Sequence, residues 1–195
     1  PTKQAAAAVG QCELMYTYDK LFNEYNHTVA QVLLTGEDVH SEQRSRNMRN
    51  TIFRLLELGA LPVINENDTV ATDEVGVENT IGENDTLSAI VAAAVHADLL
   101  ILLSDIDGLY DGDPHRDPTA HLIPTVPCLD ERIMALGGGS GSALGTGGMA
   151  TKLKAARIVT EAGCEMVIAN GAKPALLYDI VAGKPVGTRF LAKEA

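Results

Sequence analysis

The sequence contains no tryptophan, and aromatic residues occupy only 4% of its 195 positions. A core without large rings must be built from Ala, Val, Leu and Ile, and a hydrophobic content of 46% supplies enough of them. That is the make-up of a helix-covered parallel sheet, whose strands are continuous apolar runs. Basic residues are also scarce, with 15 Lys and Arg against 26 Asp and Glu, for a net charge of −11. Nucleic acid as a main partner needs clustered Lys and Arg, so the balance argues against it. A small anionic substrate stays open, because a local basic patch can sit in an acidic protein. The three cysteines, Cys12, Cys128 and Cys164, are odd in number and outside any C-x-x-C spacing. Free thiols in a reducing cytoplasm are the simplest account. No apolar run reaches the roughly 18 residues of a membrane span, and no signal-peptide pattern is present, so a membrane partner is not expected.

What is present alternates between two periods. Residues 4–25, 37–58, 85–95, 129–136, 149–162 and 176–181 carry apolar residues at helical spacing, and Gly59 and Gly163 mark two of the ends. Between them stand short apolar segments at 28–34, 62–64, 99–103, 166–169 and 188–191, which predict strands. Residues 71–84 read as an acidic loop or small hairpin, 111–125 as an Asp- and Pro-rich extended connection, and 137–142 as a Gly/Ser loop. The expectation is an α/β fold: a mainly parallel central sheet covered by helices on both faces, in a single domain over 1–195.

In open α/β sheets ligands bind beyond the carboxyl ends of the strands. Three expected strand ends carry polar clusters: Asn65 to Asp68, Ser104-Asp105 and Asn170-Gly171. Asn84-Asp85 opens an expected helix. A fifth stretch, Gly145-Thr146-Gly147-Gly148-Met149-Ala150-Thr151-Lys152, runs glycines and hydroxyls into a helix with a lysine one turn inside. Glycines let backbone N–H groups approach an anion, a helix N-terminus adds partial positive charge, and a lysine meets phosphate as a point charge. Each cluster has a plainer reading. Asn84-Asp85 makes a good helix N-cap, Asn65 to Asp68 a turn, and a glycine loop ahead of a lysine a solvated connection. Known phosphate motifs fail, since Lys152 follows Thr151 and no strand precedes Gly145. Asp105, Asp107, Asp111 and Asp113 resemble a calcium loop in composition only, because Arg116 stands where the Glu ligand is required. No metal site and no catalytic triad suggests itself.

Read together, PVINEND at 62–68, GENDTLSA at 82–89, LSDIDGLY at 103–110 and GTGGMATK at 145–152 resemble the amino acid kinase family, and within it the kinases that act on glutamate. The resemblance runs along essentially the whole chain. It implies that ATP phosphorylates the γ-carboxylate of L-glutamate, giving γ-glutamyl phosphate for proline synthesis. By the same resemblance Asp68 and Asn84 hold glutamate and Asn65 shapes that pocket. Ser104 and Asp105 match the nucleotide site, together with Thr146, Gly147, Gly148, Met149, Ala150, Thr151 and Lys152. Lys152 matches the lysine that stabilises the transferring phosphoryl group, and Asp85 the aspartate that orients the catalytic lysines. Also implied are ATP with Mg²⁺, proline as feedback inhibitor, and a homodimer or homotetramer. Physically the roles are coherent: the acceptor is already an anion, so cations and positioning are needed and a general base is not.

The family pattern begins with a strand, a first lysine and a glycine-serine loop, none of which precedes Pro1. The expectation is therefore a kinase domain lacking its N-terminal strands, with the second catalytic lysine and the serine of the glutamate site unassigned. A C-terminal RNA-binding-like domain, found in many bacterial members, is likewise expected to be absent. The segment between Asp68 and Asn84 is longer than the pattern, which bears on the lid over glutamate. Alternatives are another amino acid kinase, acting on acetylglutamate or aspartate, and a non-catalytic fragment that only binds ligand.

Overall fold

The apolar, β-branched run Thr28–Leu34 forms strand β1 and pairs in parallel with β2, Ala60–Glu66, from Thr28 opposite Ala60 to Leu34 opposite Glu66. Parallel neighbours need a crossover, and helices supply it. The structure, a computed structural model, describes residues 2–70, 81, 83–114, 116–138 and 148–193. The chain divides into two compact units, Pro1–Leu87 and Ser88–Ala195.

In the first unit, α1 (Thr2–Asn23) precedes β1, and α2 (Gly36–His40) and α3 (Glu42–Glu57) lead to β2. The single helix expected over 37–58 is two helices. Asp38 closes the first turn of α2 by accepting from Thr35 N at 2.8 Å and Thr35 Oγ1 at 2.7 Å. Ser41 then turns extended (φ −78°, ψ 121°) and starts α3 as its N-cap, so the chain breaks and restarts there. Helix α3 buries Met48 and Ile52, one turn apart on one face. Strand β1, expected to be buried, has only Leu34 fully covered, whereas β2 runs beyond the expected 62–64 at both ends.

Helix α4 (Asn84–Ala94) carries the division between the units. The second unit continues with β3 (Leu99–Ser104), β4 (Thr125–Val126), α5 (Glu131–Ala135), α6 (Gly148–Glu161), β5 (Glu165–Asn170), α7 (Leu176–Val181) and β6 (Thr188–Phe190). Its strands run in the order β3-β5-β6-β4; β3/β5 and β4/β6 are parallel, while β5/β6 is antiparallel. The two-residue β4, at the end of the Asp/Pro-rich connection, is invisible in the sequence pattern. Strand β5 is buried on both faces. Met166 and Ile168 join a core with Leu153 and Ala156 of α6, and Val167 and Ala169 pack with Ile180 of α7. The α/β class expected from composition is the class observed. Residues 71–80, 82 and 139–147, the acidic loop and the Gly/Ser loop with Gly145 to Gly147, lie outside the described residues.

Candidate functional site

Strands β3 and β5 are parallel and in register, so their last residues, Ser104 and Asn170, stand side by side at the carboxyl end of the sheet. Gly171 N donates to Ser104 O at 2.8 Å, which holds the two exits together. An open cleft of about 470 Å³ lies there. Ser104, Asp105, Ile106 and Asp107 line it from the β3 exit, Tyr110 and Pro114 from the following segment, Asn170 from β5, and Gly148, Met149 and Lys152 from the start of α6. All of these residues belong to the second unit.

Five residues expected at a nucleotide site are thus gathered: Ser104, Asp105, Gly148, Met149 and Lys152. Ala150 and Thr151 occupy the first turn of α6 without lining the cleft, and Thr151 Oγ1 donates to Gly148 O at 3.0 Å. Lys152 Nζ lies 3.5 Å from the same carbonyl, so its charge is kept at the positive end of a fourteen-residue helix. Thr146 and Gly147 lie outside the described residues. Ser104 Oγ donates to Asp105 Oδ1 at 3.1 Å, which orients the first carboxylate of the segment.

Of the five other lining residues, Asn170 was expected only as a polar strand end, and Ile106, Asp107, Tyr110 and Pro114 had no assigned role in the sequence reading. Asp107, present both in the calcium-like composition and in the LSDIDGLY motif but given no role by either, accepts at Oδ1 from Asn170 Nδ2 at 2.8 Å. Asn170 is fixed in turn, its Oδ1 accepting from Ala172 N at 2.9 Å. Tyr110 OH approaches Asp107 Oδ2 at 3.5 Å. Burial, and then the adjacent Asp107 charge, push the Tyr110 phenol above its ordinary range, so it stays a protonated donor at neutral pH. The available signal was register: an Asn ending the strand beside the one that ends in Ser104.

The remaining assigned residues belong to the first unit. Asn65, near the end of β2, donates from Nδ2 to Gln11 Oε1 of α1 at 3.0 Å and accepts from Glu66 N at 3.0 Å, so its amide is clamped. Asp68 is exposed in the turn after β2, where Val70 N donates to Asn67 O at 3.1 Å. The turn reading of this cluster is therefore realised. Glu66 Oε1 accepts from Ile81 N at 2.9 Å, tying the end of β2 to the approach to α4. Asn84 and Asp85 are in the first turn of α4 rather than at its cap, because the first helical bond, from Leu87 N at 3.0 Å, goes to Glu83 O. Asp85 stands in the first turn, where the helix dipole favours a carboxylate.

A profile of the amino acid kinase family matches residues 1–170. The chain belongs to the amino acid kinase family. It is a kinase of this family, similar over nearly all its length to glutamate 5-kinases. It is 49% identical over 192 residues to the glutamate 5-kinase of Clostridium perfringens, spanning 98% of this chain and 71% of that enzyme. Against the glutamate 5-kinase of Clostridium tetani the identity is 54% over 192 residues, spanning 98% and 70%. Among solved structures, carbamate kinase from Giardia lamblia bound to AMP-PNP superposes with a TM-score of 0.65 at 15% identity, spanning 96% of this chain and 75% of that one. At that identity the likeness speaks for the amino acid kinase fold alone.

Proposed function

We propose that this chain carries out the ATP-dependent phosphorylation of the γ-carboxylate of L-glutamate, giving γ-glutamyl phosphate, the first step of proline biosynthesis. The observation that carries the reading is the cleft beyond β3 and β5. There, Ser104, Asp105 and the start of α6, with Lys152, converge on one volume large enough for a nucleotide. The reading of glutamate as acceptor rests on the relatives, which are named glutamate 5-kinases.

In this reading ATP lies in the second-unit cleft with its phosphates toward the N-terminus of α6, where backbone N–H groups and the helix dipole favour anions. Lys152 neutralises charge that spreads over the transferring phosphoryl group. The glutamate carboxylate is already a nucleophile at neutral pH, so the protein needs to align it and screen its charge, and no side chain has to take a proton. Asp68 and Asn84 hold glutamate, Asp68 through the ammonium group, Asn65 shapes the pocket, and Asp85 orients a catalytic lysine. Mg²⁺ would travel on the nucleotide phosphates. Among the described residues no group of three His, Cys, Asp or Glu side chains is placed to hold a metal, so the residues present do not build a protein cage for it. Feedback by proline, homo-oligomer assembly and a cytoplasmic location complete the reading. Among the described residues no helix is long and apolar enough to cross a membrane.

The test is ADP release by the full-length protein with ATP and Mg²⁺. Turnover should require L-glutamate and be absent with acetylglutamate, aspartate or carbamate. Faster turnover with one of those acceptors would replace glutamate as the substrate, and ligand binding without any turnover would favour a non-catalytic role.

A further inference from the structure

We propose that Thr188, which takes no part in lining the cleft, is a positioning residue for nucleotide binding. Its hydroxyl sets the backbone of the segment 105–110 that forms one wall of the cleft. The inference rests on reading the second-unit cleft as the nucleotide site.

Thr188 opens β6 and is fully buried, paired with Ile168 of β5 and among apolar neighbours. A threonine hydroxyl in such a place must be satisfied. It is, and both of its short bonds go to backbone: Oγ1 accepts from Leu109 N at 2.8 Å and donates to Ile123 O at 2.7 Å. The side chain therefore bridges Leu109, in the cleft-wall segment, and Ile123, on the returning arm of the connection, beside the direct bond from Ile123 N to Leu109 O at 2.8 Å. Leu109 itself is buried and cannot exchange that bond for water.

The surrounding glycines show how closely the wall is fitted to β6. A Cβ on Gly108 would fall 2.5 Å from Thr188 Oγ1 and 3.0 Å from Thr188 N. Gly187, at φ +65°, leaves room that a Cβ would fill at 2.0 Å from Ile168 O and 3.1 Å from Asp107 O. Close approach at both positions brings the backbone of 107–109 directly onto residues 187–188. What this wall presents on its other side is Asp105, Asp107 and Tyr110, all lining the cleft. Asp107 is tied a second time, by Asn170. Loss of the Thr188 hydroxyl would leave the Leu109 N–H buried and unpaired, and the low-cost relief is a shift of 107–110. Sub-ångström shifts in a supporting shell are enough to loosen a site.

The experiment compares T188V, T188A and T188S with wild type in the full-length protein, measuring the KM values for ATP and glutamate, kcat, and melting temperature. Valine conserves the volume and removes the hydroxyl, alanine removes both, and serine restores the hydroxyl alone. T188V and T188A should raise the KM for ATP about tenfold while the KM for glutamate moves less than about twofold, and T188S should return the ATP value to within about twofold of wild type. A general loss of packing would instead move both KM values and fail to respond to serine. An unchanged KM for ATP in a folded T188V or T188A, or equal changes for both substrates, overturns the inference. If valine does not fold, alanine and serine still decide it. Wild-type protein that neither binds nor turns over ATP overturns the reading of the cleft instead, so the two failures are distinguishable.

Discussion

Strands β5 and β1 are both short apolar runs with a parallel neighbour, yet their surroundings differ. In β5, Met166, Val167, Ile168 and Ala169 are all at most 1% exposed, whereas in β1 only Leu34 is buried. The adjoining helices repeat the contrast: α6 buries five residues, and α1, although longer, buries none. Cover on two faces is what separates them, since α6 and α7 together close β5. The consequence reaches the site. Asn170 ends the buried β5, and Ser104 ends β3, paired with β5 in register, while Asn65 lies one residue before the end of β2, which has no fully buried residue, and Asp68 stands in an exposed turn. A site needs rigid support where geometry is demanding, as for phosphoryl transfer, and less where a ligand is merely captured.

The largest expected effect tests that contrast directly. Phe190→Ala, at a fully buried position of β6, should cost about 3–5 kcal/mol in denaturant unfolding, and Ile52→Ala in α3 about 2 kcal/mol. Equal costs would mean that the first unit is as tightly packed as the second, and the contrast would fail. Next in size is Lys152→Ala. In the proposed role of Lys152 at the transferring phosphoryl group, removing its charge should lower kcat by about 10²- to 10³-fold with the melting temperature unchanged. Asp68→Ala should act through the KM for glutamate instead, and a kcat loss matching that of Lys152→Ala would contradict its assignment to binding.

How much of this was legible depended on the range of the forces involved. Helix and strand periods are local, so β1 and α7 were read to the residue, and α6 within a residue at each end. The break at Ser41 was missed because a polar, charged stretch keeps helical spacing on both sides of a cap, and only the Asp38–Thr35 bonds and the extended Ser41 reveal it. β4 was missed because two residues carry no period; the strand exists through its pairing with Arg189 and Phe190, over sixty residues away. The same reason separates Ser104 from Asn170. Each was visible as a polar strand end, but their adjacency is a matter of register, and with it came Asp107 and Tyr110.

A smaller effect, of about 1 kcal/mol, is expected at the α2 turn. Partial burial works to raise the Asp38 carboxyl, but bonds from Thr35 and the Arg44 guanidinium outweigh it and hold the group below its ordinary range. A carboxylate depressed on folding contributes stability that is present above its unfolded value and lost as pH falls through the folded one. Asp38→Asn should therefore destabilise at neutral pH, and the gap to wild type should close below the ordinary carboxylate range. A gap that persists at acid pH would assign the effect to packing.

The smallest expected effect bears on the exposed side of the contrast. Helix α1 presents Val9, Tyr16 and Leu21, each more than half exposed. Single changes at positions without buried partners usually stay within about 0.5 kcal/mol, so Tyr16→Gln should leave the unfolding midpoint nearly where it was. The measurement is informative because it can fail in only one direction. A loss well above 1 kcal/mol, or one that grows on dilution, requires the ring to be covered in solution. The bareness of α1 would then belong to the isolated chain and not to the working protein. The looser support of Asn65, which is bonded to Gln11 on that same helix, would have to be judged with the cover in place.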